Sequence, residues 1–161
     1  MTTTSTADLR RWLDAAATLA GNDLHATAIA LLDFAGLLDR TDVRDLIEAK
    51  TVIGRDDQPV RGAWIDWAAL ARAVDTDAIG PLGSGADRLL RLAVSIAHGR
   101  PVDLRGTLPG LGHAHARAVV TAVVRACGLA DDVEINDTPA YLARRRAHDA
   151  ALAEMPGEDG A

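Results

Sequence analysis

From Leu104 to Gly128 the chain reads Leu-Arg-Gly-Thr-Leu-Pro-Gly-Leu-Gly and then His-Ala-His-Ala-Arg-Ala-Val-Val-Thr-Ala-Val-Val-Arg-Ala-Cys-Gly. A short apolar turn meets a Gly-bracketed bend, an unbroken apolar helix follows, and Gly128 stands where such a helix ends. A helix this apolar has to be covered, so it is expected to be the element on which the others pack. The rest of the chain suits that demand. Its 48% hydrophobic content comes largely from Ala, Leu and Val, and only 3% of residues are aromatic, which favours close helix packing over aromatic-rich sheets. The expected fold is all-α: a single-domain orthogonal bundle of six to seven helices. A chain of 161 residues buries one sizeable core without metal or disulfides.

Taken in order, Thr6 or Asp8 caps a first helix through Ala20, with Leu9, Trp12, Leu13, Ala16 and Ala17 on its buried face. Asp23 opens a second helix to Leu38, whose inward stripe is Leu24, Ala28, Leu31, Leu32, Ala35 and Leu38, and Thr41 or Asp42 caps a third through Ala49. Residues 51–65 contain β-prone runs around Gly54-Arg55-Asp56-Asp57-Gln58-Pro59 and read either as a loop or as a small two-stranded ribbon. Asp66 caps a helix from Trp67 to Val74, and Trp64 and Trp67 plug a seam between helical layers. After a Gly- and Pro-rich loop, Ser84 caps a helix to His98. Pro139 suits the first turn of a last helix through Met155. The expected organisation is a disordered start (1–5), a helical domain (6–128), an acidic linker with a C-terminal helix (129–155) and a disordered tail (156–161).

Charge is unevenly spread. The chain carries a formal −6, yet from Ser84 to Gly128 six arginines face only Asp87 and Asp103, so any anionic partner is expected there rather than at the acidic flanks. The lone Cys127, between Ala126 and Gly128, is expected to be a buried structural thiol. No apolar run is long enough to span a bilayer, and the first six residues lack the basic and apolar regions of a signal peptide. A cytoplasmic protein with no membrane association is expected.

Few motifs carry chemistry. Gly80-Pro-Leu-Gly-Ser-Gly85 has the glycine spacing of a phosphate loop, but Ala86 stands where Lys is required and Asp87 where Ser or Thr belongs. His113 and His115 are two apart and point about 200° from one another on a helix, so they cannot chelate one ion. No Cys pair or spaced carboxylate set supplies other ligands, and no nucleophile arrangement can be read from spacing. Neither a catalytic residue, a metal nor a cofactor is expected.

Pro109-Gly110-Leu111-Gly112, with Leu104 and Leu108 before it and Ala116 and Val119 after it, is similar to the helix-hairpin-helix motif of non-sequence-specific DNA-binding proteins. That resemblance implies phosphate contact through the amides of Gly110 and Gly112, with His113, Arg105 and Arg117 beside them. His113 and Ala114 replace the usual Pro and basic residue, Gly106 interrupts the first helix, and the second copy usual in that family is missing. The stretch from Trp64 to Gly128, through Leu89-Leu90-Arg91-Leu92-Ala93 and Pro101-Val102-Asp103-Leu104, also resembles a group of uncharacterised small proteins of high-GC Gram-positive bacteria. That group more often has Gly-Leu-Asp at the turn, which implies a structural bend between two buried helices. The leading expectation is therefore a non-enzymatic interaction or regulatory module that binds a protein partner or itself. Its contact surface is either the acidic N-terminal helices or the last helix, through Tyr141, Leu142 and Arg145. DNA binding at the turn is the alternative, and an unrecognised enzyme site near Trp64 and Trp67 a third.

Overall fold

The computed structural model describes residues 4–154. Helix α1 (Thr6–Ala20) is capped by Ser5, whose hydroxyl accepts the Asp8 amide at 3.1 Å. The cap is thus one residue earlier than expected from Thr6. Leu9, Leu13, Ala16 and Ala17 form its buried stripe. Helix α2 (Asp23–Phe34) starts from Asn22, which accepts the His25 amide. It stops short of the expected Leu38 because Gly36 takes a left-handed conformation (φ +69°) that side chains resist. A 3-10 turn at Leu37–Asp39 then buries Leu37 and Leu38. Leu24, placed on the inward stripe by spacing alone, is 45% exposed.

The third helix, α3 (Thr41–Arg44), is a single turn. Its expected continuation to Ala49 is a strand instead. Strand β1 (Ile47–Ile53) pairs antiparallel with β2 (Pro59–Ile65), Ile47 opposite Ile65 and Ile53 opposite Pro59. Ile47 and Ala49 face inward while Glu48 and Lys50 face solvent, a period of two that only a sheet can satisfy. The ribbon is therefore present and longer than the 51–65 window, and β2 lies across α1. Lys50 sits over the Trp64 ring and Arg61 over Trp12.

Helix α4 (Trp67–Asp75) is capped by Asp66, which accepts the Ala69 amide at 2.8 Å. The loop over 76–83 is held rather than free. Asp42 accepts the Gly80 amide at 2.9 Å, and Arg40 donates to the Pro81 carbonyl. Arg40 also grips Asp42 through two hydrogen bonds of 2.9 and 2.6 Å. Those bonds, with the Gly80 amide, bring the Asp42 carboxyl down to about 2 against the opposing effect of burial. Helix α5 (Ser84–His98) begins after Gly83, so Ser84 is its first residue and not its cap. Single-turn α6 (Leu104–Thr107), α7 (His113–Ala126) and α8 (Pro139–Glu154) complete the chain.

The core lies where α1, α2 and α5 meet the ribbon and α4, around Leu13, Leu32, Leu70, Leu89 and Leu90, each at most 1% exposed. Helix α7 is not the centre on which everything packs. It lies on the outer side of α2, burying only Val119 and Ala122, while Val120 and Val123 stand about half exposed. Cys127, at its end, is exposed rather than buried, because the terminus of this outer helix has nothing laid over it. The tail expected to be disordered, 156–161, lies outside the described residues. No helix among the described residues is long and apolar enough to cross a membrane.

Candidate functional site

The turn ahead of α7 is built by Pro109 and Gly110. The Leu111 amide donates to the Leu108 carbonyl, and Gly110 has φ +83°, the geometry of a type II turn with Pro second and Gly third. A Cβ on Gly110 would also lie 2.9 Å from the Arg88 guanidinium, but that flexible end can move aside, so it is the positive φ that calls for glycine. The bend does not join two buried helices. Leu104 and Leu108 are 52% and 41% exposed, and α6 buries only Thr107. A one-turn helix containing Gly106 has neither the length nor the propensity to present a continuous apolar face.

The residues proposed to hold phosphate are not gathered around that turn. Arg105 lies on exposed α6, and its side chain makes no ion pair among the described residues. His113 and Arg117 turn instead toward Asp137, in the loop before α8. His113 Nε2 lies 2.8 Å from Asp137 Oδ1, while Arg117 donates to Asp137 Oδ2 at 3.0 Å and to the Ile135 carbonyl at 3.1 Å. The Tyr141 ring stacks on His113, centroids 3.6 Å apart and planes 16° from parallel. One carboxylate and one aromatic ring thus latch the root of α8 onto the first turn of α7. His115 points the other way, as its spacing from His113 dictates, against Gly85 and edge-on to Phe34.

Beyond Tyr141, α8 leaves the body. Every described side chain from Leu142 onward is exposed, including Leu142 at 36% and Leu152 at 55%. Arg145 pairs with its own neighbour Asp149, at 3.8 Å, and borders the groove described next. Between α2, α7 and the root of α8 runs a groove of about 550 Å³ whose floor includes Leu31, Phe34, Ala118 and Ala122. Thr27 also lines it. That residue is fully buried, and its hydroxyl has no hydrogen-bond partner.

Thr27, Phe34 and Asp137 were not singled out from sequence. Asp137-Thr138-Pro139 is a helix-start signal, and Thr138 does accept the Tyr141 amide at 3.2 Å. Nothing local marks Thr27 or Phe34. The two tryptophans do not form a common platform: Trp67 is buried beside His25, whereas Trp64 lies flat on Gly62 beneath Lys50. In the loop with phosphate-loop spacing, Asp87 pairs with Arg91 at 3.0 Å. Among the described residues no three His, Cys, Asp or Glu side chains are grouped as metal ligands. No protein-family model, curated protein or solved structure matches the chain, so the reading of the site rests on its own chemistry.

Proposed function

We propose that the protein is a non-enzymatic interaction module whose working surface is α8, and that α8 pairs with the same helix of a second copy. The supporting observation is the order of side chains along one exposed stripe. Leu142, Arg145, Asp149 and Leu152 follow one another at steps of three, four and three, the a/d spacing of a coiled-coil seam. That stripe is a palindrome in chemistry. Laid antiparallel about Ala147, Leu142 of one copy meets Leu152 of the other, and Arg145 meets Asp149. A parallel pair would put arginine on arginine. Ala143, Ala147, Ala150 and Ala151 leave room for close approach. Since a lone helix of this length is marginal in water, pairing also supplies α8 with the packing that the body does not.

So short a contact lies below the roughly 1,200 Å² of a standard interface, and the association is weak and reversible. Sedimentation equilibrium of the full chain is expected to show a monomer–dimer equilibrium that Arg145→Asp weakens about tenfold. Adding Asp149→Arg to it restores dimerisation by exchanging the two signs. A chain that stays monomeric at the highest soluble concentration, or a double variant no better than the single, refutes the pairing. Duplex DNA binding that falls steeply with salt and is lost in Gly110→Glu would place the function at the Pro109–Gly112 turn instead.

A further inference from the structure

The groove between α2 and α7 holds a contradiction that its own residues do not resolve. Thr27 is 0% exposed and its hydroxyl is unpaired, which costs about 1–3 kcal/mol in a folded protein. A threonine within a helix ordinarily relieves this by donating to the carbonyl four residues back, here Asp23, and this one does not. Valine would fill the same space without the cost. Its oxygen is closed to solvent, so it gains a partner only where a polar group entering the groove that Thr27 lines parts the side chains over it.

The position of Thr27 shows what that partner is. Phe34, the last residue of α2, packs on His115 in the first turn of α7. Ala26 and Ala30 of α2 share a second hollow with Arg125 and Gly128 at the opposite end of α7. The two helices therefore run antiparallel, and Thr27 lies toward Arg125. Arg125 lines the groove as well, is exposed, and makes no ion pair among the described residues. At the other end Arg117 and His113 are already satisfied by Asp137. One end thus offers a hydroxyl and a free guanidinium. The walls between are Leu31, Phe34, Ala118 and Ala122. A volume of about 550 Å³ falls in the range of small-molecule sites, about 300–1,000 Å³.

We propose that this groove binds a small amphipathic acid, its carboxylate held by Arg125 and the Thr27 hydroxyl and its apolar body laid along Leu31, Phe34 and Ala118. The charge pattern selects an anion: of the three arginines that line the groove, Arg117 pairs with Asp137 and Arg145 with Asp149, while Arg125, at the end toward Thr27, has Asp14, Asp23 and Asp131 around its second hollow but none at ion-pair distance. The lining of Leu31, Phe34, Ala118 and Ala122 selects an apolar body. The groove and the α8 seam share Arg145, which borders the groove and pairs with Asp149, whereas Leu142, Asp149 and Leu152 lie outside it.

Calorimetric titration of the full chain with decanoate tests it, with decanol and decyltrimethylammonium as matched neutral and cationic probes. Decanoate is expected to bind one to one, with decanol at least tenfold weaker and the cation silent. Arg125→Glu is expected to weaken decanoate about tenfold. Thr27→Val is expected to weaken it several-fold while leaving thermal stability equal or higher, a combination that a purely structural threonine would not give. Leu152→Ala, which weakens the α8 pairing from a position outside the groove, leaves decanoate binding intact, so the two readings fail separately. Absence of decanoate binding at millimolar concentration, equal affinity for all three probes, or unchanged affinity in Arg125→Glu or Thr27→Val overturns the proposal.

Discussion

Helices α2 and α8 are built from overlapping residue types and end in opposite circumstances. Helix α2 is apolar on nearly every side and is enclosed by α1, α5 and α7, while α8 is polar around most of its circumference and touches the body only at its root. Alanine serves both. In α2, Ala28 is fully buried because neighbours close over it; in α8, Ala147 and Ala150 have the same side chain and no cover. Burial belongs to the arrangement of neighbours and not to the residue. Helix α7 stands between the two cases, one face on α2 and the other, with Val120 and Val123, open.

The contrast is sharpest in truncation experiments. Leu32→Ala, in fully buried α2, is expected to cost about 3 kcal/mol in denaturant unfolding. Leu152→Ala in α8 is expected to change the same measurement by less than about 0.5 kcal/mol while weakening self-association. A comparable loss at both positions would mean that α8 is part of the core.

A smaller effect belongs to the polar clamp that ties the core to the loop over 76–83. Asp42 is ionised in the folded state down to about 2 instead of its ordinary 3.8, so its contribution is complete above about pH 4 and is lost as pH falls through about 2. Partial solvent exposure reduces the benefit, and Asp42→Asn is expected to cost about 1–2 kcal/mol at neutral pH. The gap between the variant and the parent should close progressively in acid melts. A gap of constant size from pH 7 to 2 would show that the Arg40–Asp42 pair does not set it.

An effect smaller than that of the clamp is expected at the latch. Tyr141→Ala removes the ring stacked on His113 and should shift unfolding by about 0.5–1 kcal/mol. It frees the root of α8, so tryptic cleavage at Arg144–Arg146 should quicken several-fold. Unchanged cleavage would show that α8 is held by something other than this latch.

Much of the chain was legible one segment at a time. Asp66 as a cap, the stop at Gly21, the start at Pro139 and the stripe of α1 depend on residues within a turn of one another. The errors have a common origin in distance. Spacing places Ile47–Ala49 in a helix because their pairing with Ala63–Ile65 is invisible locally. Leu24 sits at an inward spacing, but at that end of α2 it is the adjacent His25 that meets Trp67, and Leu24 is left 45% exposed. Cys127 was expected inside because its flanking residues are small, although α7 proved to be the outermost layer. At the candidate site, His113 and Arg117 were identified as charged groups beside a turn. The carboxylate that claims both comes from the loop before α8, and the orphaned hydroxyl of Thr27 looks like any other helical threonine in sequence.

By itself, then, the order of residues determined that this chain is mostly helical, where most helices begin and end, and that positive charge gathers between Ser84 and Gly128, while it left 51–65 open between a loop and a ribbon. Local propensity, capping and periodicity act within a few residues and need no partner. Only the tertiary structure decided that α2 rather than α7 is enclosed, that Asp137 holds His113 and Arg117, and that one groove is lined both by an arginine without an ion pair among the described residues and by a buried threonine whose hydroxyl is unpaired. Those outcomes depend on which distant segments lie side by side, since burial and hydrogen-bond satisfaction are properties of neighbours in space.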